Sequence, residues 1–182
     1  IYEQCKKLPS NLYLLDHEQP LYFDDNTCII GSSGWYDAGW MKPILPFVYI
    51  ADWFAIADLQ KFFTYSNFHK FCLDLTNFYT KSLQLKLING LSNYDNIIML
   101  THFPPLFKTH DNKAAHYWWK PYDSCKKMYD MIIDTMKHHP NKKLTIYAGH
   151  THDAWQTKLL DNVVLNVEGC CLGNPNNYSR IS

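Results

Sequence analysis

Three histidines stand where a fold can use them. His102 follows the apolar run Asn96–Leu100 (NIIML) by two residues, and His150 and His152 follow Leu144–Ala148 (LTIYA) across Gly149. Neutral imidazole is a common metal ligand and a general acid or base near neutral pH. Residues two apart share a face in an extended segment, so in a His-x-His at a strand end both rings can serve one site, whereas in a loop they can diverge towards two. Gly149 is expected to let the backbone turn sharply there, and Pro104 and Pro105 to stiffen the segment that carries His102. The crevice at the carboxyl ends of α/β strands is where such folds bind ligands, and strand ends are rigid enough to hold a metal geometry.

The elements that must position these residues follow from the pattern. Asn96–Leu100 and Leu144–Ala148 read as short buried strands. Strands are also expected at Asn11–Asp16 (NLYLLD), Leu21–Phe23 and Thr27–Ile30 (TCII), the last running into the loop GSSGWYD. Apolar residues Phe68, Phe71, Cys72, Leu75, Tyr79, Leu83 and Leu87 recur at steps of three and four, which predicts a helix over 67–88, C-capped at Asn89-Gly90. A second helix is expected from an Asp123 cap to about His139, with Cys125, Met128, Ile132 and Met136 on one face and Pro140-Asn141 as its stop. Trp155–Leu160 and Val163–Val167 flank Asp161-Asn162 as a hairpin. Residues 1–8 read as the end of a helix. Residues 38–65, crowded with aromatics and broken by Pro43 and Pro46, and 106–121 read as irregular. The result is a mixed α/β domain with helices covering sheet, without internal repeat or boundary across 1–182.

Composition narrows the class. With 47% hydrophobic and 19% charged residues the 182-residue chain is globular, and it is long enough for one core. Zero formal net charge argues against electrostatic steering by nucleic acid. No run approaches the roughly 20 apolar residues of a membrane helix, and no secretory leader is visible. The six cysteines, Cys5, Cys28, Cys72, Cys125, Cys170 and Cys171, form no C-x-x-C and no disulfide framework. They read as reduced residues of a cytoplasmic protein.

Thr101-His102-Phe103-Pro104-Pro105 and Gly149-His150-Thr151-His152 resemble the last two signature motifs of the calcineurin-like metallophosphoesterases. TCIIGSSGWYD is similar to the strand and loop that precede those two motifs in the family. The resemblance covers most of the chain in order. It implies a four-layer α/β/β/α sandwich of two mixed sheets, and hydrolysis of a phosphate ester by a hydroxide bridging two divalent metal ions. Carried over, His102 and His150 bind one ion and His152 its neighbour. Imidazole suits Mn, Fe, Zn or Ni and does not choose among them.

The family's Asp-x-His, Gly-Asp-x-x-Asp and Gly-Asn-His-Asp/Glu motifs do not occur in 1–182, and Asp16-His17 and Asp24-Asp25 do not replace them. The chain, starting at Ile1 without a methionine, is therefore expected to be the C-terminal portion of one such domain. The N-terminal portion would be its partner and would bring the remaining ligands and the proton-donating histidine. Alone, 1–182 is expected to be inactive.

Two other readings stand beside this one. One is a degenerate scaffold that binds a partner. The other is a mononuclear zinc site of the three histidines with water in the fourth position. Trp35, Tyr36 and His116 are candidates for the substrate pocket, with His110, Tyr117, Trp118 and Trp119 in the same long loop as His116. Asp153 can accept a hydrogen bond from a ligand imidazole or stand solvated, and His138 and His139 suit a helix C-terminus.

Overall fold

The computed structural model describes residues 12–40, 65–108 and 120–169. The expected helix end at 1–8 and most of the aromatic segment 38–65 lie outside these residues. Among the described residues the chain forms one mixed sheet of six strands. These are β1 (Leu21–Asp24), β2 (Thr27–Ser32), β3 (Asn96–Thr101), β4 (Lys143–Ala148), β5 (Trp155–Leu160) and β6 (Val163–Val167). Their spatial order is β1-β2-β3-β4-β6-β5.

β2, β3, β4 and β6 run parallel, and β1 and β5 pair antiparallel at the two edges. Helix α1 (Tyr65–Asn93) lies between β2 and β3 in the chain, and helix α2 (Lys126–Lys137) between β3 and β4. The strands succeed one another in one direction, so right-handed crossovers put both helices on one face.

That face is the main core. Cys28, Ile30, Ile97, Met99, Leu144 and Ile146 of the sheet pack against Leu83, Leu87 and Leu91 of α1 and Met128, Ile132 and Met136 of α2. The expected faces of both helices are thus buried, Phe71, Leu75 and Tyr79 only in part. The opposite sheet face carries Ile29, Ile98, Leu100, Tyr147 and Val164 in half-buried positions. Mixed α/β architecture is what the alternating strand and helix patterns predict. The hairpin runs as expected, Trp155–Leu160 against Val163–Val167.

Three local expectations are corrected. Asn11–Asp16 is expected to be a strand, yet Leu12–Leu14 is irregular and Leu15–His17 is a turn closed by His17 N–H donating to the Leu14 carbonyl at 2.9 Å. The Leu15 and Asp16 carbonyls accept from the Lys86 ammonium instead of a neighbouring strand. Helix α1 does not stop at Gly90 but runs through it to Asn93. Gly90 is buried against the sheet, where a Cβ would meet Cys28 Sγ at 3.0 Å and Ile97 Cδ1 at 3.2 Å, so its role is close packing.

Asp123 does not cap α2. Cys125 is the N-cap, its Sγ accepting from Met128 N–H, and a distant carboxylate, Asp37, takes the amides of Lys126 and Lys127. Capping by tertiary contact leaves no local sequence signal. At the other end His138 is the C-cap residue, as suits an imidazole beside the negative end of a helix.

Candidate metal centre

The register aligns the strand ends. Ser32 of β2 pairs with Thr101 of β3, and Thr101 with Ala148 of β4. The next residues, Ser33, His102 and Gly149, therefore share one rim at the carboxyl ends of three parallel strands. Gly149 N–H donates to the His102 carbonyl at 3.0 Å, joining the two loops immediately beyond the sheet.

Two of the three histidines meet there. His150 Nδ1 stands 3.2 Å from His102 Nε2, with the ring planes at 72°. On its other side His150 Nε2 lies 3.1 Å from the Tyr122 carbonyl. A carbonyl only accepts, so Nε2–H is the donor and carries the ring hydrogen. With its hydrogen on Nε2, His150 accepts at Nδ1 from His102 Nε2–H. Buried Phe103 packs 4.3 Å from the His150 ring and 4.8 Å from the His102 ring, centroid to centroid. His102 is exposed and His150 half-buried, so the pair is open to solvent.

The backbone turn that the sequence assigns to Gly149 falls one residue later. His150 and His152 both adopt left-handed conformations, with φ of 69° and 62°. Such conformations cost a non-glycine residue about 1–2 kcal/mol each, and non-glycine residues held this way cluster at functional sites. A Cβ at Gly149 would meet only ordinary contacts, at 3.8 Å from the His102 carbonyl oxygen and 3.9 Å from its Nδ1. His152 is exposed, and among the described residues its ring does not join the His102–His150 pair. No group of three or more His, Cys, Asp or Glu able to hold a metal is found among the described residues.

The 3.2 Å contact is a hydrogen bond between the rings, and its length is close to the about 3.3 Å that separates two imidazole nitrogens on a tetrahedral zinc, so replacing the shared hydrogen by an ion needs little change in spacing. The outward N–H of His150 has the acceptor that ligand imidazoles generally require. That acceptor is the Tyr122 carbonyl and not Asp153, which is exposed.

Of the substrate-pocket candidates, Tyr36 is only 1% exposed. Its ring packs edge-on against Phe103 and Tyr122, both at 5.3 Å, so Tyr36 lies in the aromatic layer that supports the histidines. Trp35 is half-buried beside it, 5.7 Å from Phe103. His116, with His110, Tyr117, Trp118 and Trp119, lies outside the described residues.

Sequence reasoning missed Asp37, Phe103 and the Tyr122 carbonyl. Phe103 sits inside the THFPP motif and was open to recognition as a packing partner. A backbone carbonyl acting from another loop leaves no mark on sequence. Cys28, Cys72 and Cys125 are buried and form no disulfide, and no described helix is long and apolar enough to cross a membrane. No known protein family, curated protein or solved structure matches the chain.

Proposed function

We propose that this chain contributes to a metal-dependent phosphoesterase, with His102 and His150 holding one divalent ion and His152 contributing to a second. One observation carries the reading: ring nitrogens from residues 48 positions apart converge to 3.2 Å on adjacent parallel strand ends, at chelating distance. The donor set fits Mn, Fe or Zn, all of which accept imidazole.

When bound, a pair of such ions supplies water activation at neutral pH and neutralises charge on phosphate oxygens. The chain's own contribution is orientation. The Tyr122 carbonyl holds His150 in its Nε2–H tautomer, and Phe103 wedges against both rings. The remaining ligands, and the group that protonates the leaving oxygen, belong in this reading to the Asp-x-His, Gly-Asp-x-x-Asp and Gly-Asn-His-Asp/Glu motifs outside 1–182. The half-buried apolar face of Ile29, Ile98, Leu100, Tyr147 and Val164 supports a second sheet packing there, as a four-layer sandwich requires. Among the described residues Cys28, Cys72 and Cys125 are buried and in no disulfide, which suits a cytoplasmic setting.

Metal content and turnover of a chromogenic phosphate ester test the reading. Residues 1–182 alone are expected not to turn over. A longer protein carrying the three N-terminal motifs is expected to hydrolyse the ester and to lose at least about tenfold in metal affinity in His150→Ala. A longer protein that binds no metal and shows no turnover would instead fit a degenerate binding scaffold. Activity that survives His102→Ala and His150→Ala together would also sink the proposal.

A further inference from the structure

The loop after β2 braces the segments that carry the histidines. Asp37, 3% exposed, ends the GSSGWYD run. Its Oδ1 accepts from Gly39 N–H at 2.8 Å and Lys126 N–H at 3.0 Å, and its Oδ2 from Lys127 N–H at 2.7 Å. Two of these are amides of the first turn of α2, which have no partner within the helix. One buried carboxylate therefore fixes where α2 begins.

Only Asp123, Ser124 and Cys125 separate that helix start from Tyr122, whose carbonyl accepts from His150 Nε2–H. Cys125 N–H donates to the Pro104 carbonyl at 3.0 Å, which ties the His102 loop to the same point. The neighbour of Asp37 completes the hub. The Tyr36 ring braces Tyr122 and Phe103, and the Tyr36 carbonyl accepts from Thr76 Oγ1 on α1 at 3.1 Å.

We infer that Asp37 is a positioning residue for the His102–His150 pair: by pinning the start of α2 it fixes the Tyr122 carbonyl and so the tautomer of His150. This rests on the metal-site reading for its purpose, though not for its geometry. Without the carboxylate, the Lys126 and Lys127 amides must find water, and the Tyr122–Cys125 segment keeps the Pro104 and Tyr36 contacts but loses its tie to the start of α2. His150 can then place its hydrogen on either nitrogen. With the hydrogen on Nδ1, the lone pair no longer faces His102.

The test uses the full chain with ¹⁵N-labelled histidine, free of metal, and long-range ¹H–¹⁵N correlation spectra. In the unmodified protein His150 is expected to show a protonated Nε2 and a bare Nδ1. Asp37→Ala is expected to mix the two tautomers. Asp37→Asn, which keeps one carbonyl oxygen, is expected to mix them less, and it carries the test if the alanine variant does not fold.

Leu91→Ala, a core change at the far end of α1 adjusted by temperature to the same stability margin, is expected to leave the tautomer alone. This separates positioning from general loosening. Affinity for Zn²⁺ alone is expected to fall about tenfold in Asp37→Ala and to hold in Leu91→Ala. A single Nε2–H tautomer in both Asp37 variants overturns the inference, as does equal mixing in Leu91→Ala. If a longer protein carrying the three N-terminal motifs binds no Zn²⁺, the metal reading fails, and the metal-free spectra still decide the role of Asp37.

Discussion

Lys86→Met isolates the most buried cation of the described core. Lys86 is 6% exposed on α1, and its ammonium donates to the carbonyls of Leu15, Asp16 and Gly31, the latter two at 3.0 and 3.1 Å. Burial pulls its pKa below the usual lysine range, and the Asp16 and Glu18 carboxylates pull partly the other way. Asp16 in turn accepts from Ser32 Oγ at 3.0 Å and Ser33 N–H at 2.7 Å. The lysine thus clasps the segment before β1 onto the carboxyl end of β2, beside the histidine rim.

Methionine keeps the length and apolar stem but strands three carbonyls. Each unsatisfied buried acceptor costs about 1–3 kcal/mol. Relief from burying an ammonium offsets several kcal/mol of that total, which leaves a net loss of roughly 2–4 kcal/mol. For a chain of this size that is a fall in Tm of roughly 4–16 °C. Urea unfolding followed by tryptophan fluorescence measures it, and the cycle with Asp16→Asn is expected to be non-additive because the two residues share the clasp. A Lys86→Met protein as stable as the original refutes the reasoning, since the carbonyls would then have found other donors.

Two further predictions concern stability. Burial raises the thiol pKa of Cys28 to about 11 and of Cys125 to about 12, from 9.0. As pH rises past about 9 the unfolded thiols ionise first, so each removes about 1.4 kcal/mol of stability per pH unit until its folded pKa is reached. Below pH 9 these groups contribute no pH dependence. Urea midpoints between pH 8 and pH 11 are expected to show the decline, with a smaller slope in Cys28→Ala, and an identical slope refutes the attribution. Gly90→Ala and Gly149→Ala should differ. At Gly90 overpacking of about 2 kcal/mol outweighs a helix-propensity gain of about 1 kcal/mol. At Gly149, where the new methyl meets only ordinary contacts, the change is expected to stay within about 0.5 kcal/mol. Equal effects on Tm would show that the sheet opposite Gly90 yields.

What the sequence determines here is local and periodic. NIIML and LTIYA are strands because short apolar runs with β-branched residues suit a sheet with one face buried and the other half-buried. The stripe from Phe68 to Leu87 is a helix because its spacing matches one helical face. The two-residue Asp161-Asn162 turn dictates the last hairpin, and the position of His102 and His150 just past their strands places both on one rim once the strands run parallel.

Tertiary structure decided the rest. Whether Asn11–Asp16 becomes a strand depended on a lysine 70 residues away taking its carbonyls. Where α2 starts depended on Asp37, 89 residues before Lys126, and not on Asp123 next door. Gly90 reads as a helix stop in sequence, and only the sheet packed against it makes it a helix interior. The histidine spacing does not say which rings meet, since His150 and His152 are equivalent by period. The Phe103 wedge and the Tyr122 carbonyl select His150, because a ring's direction is set by whatever packs around it and by the acceptor that holds its hydrogen.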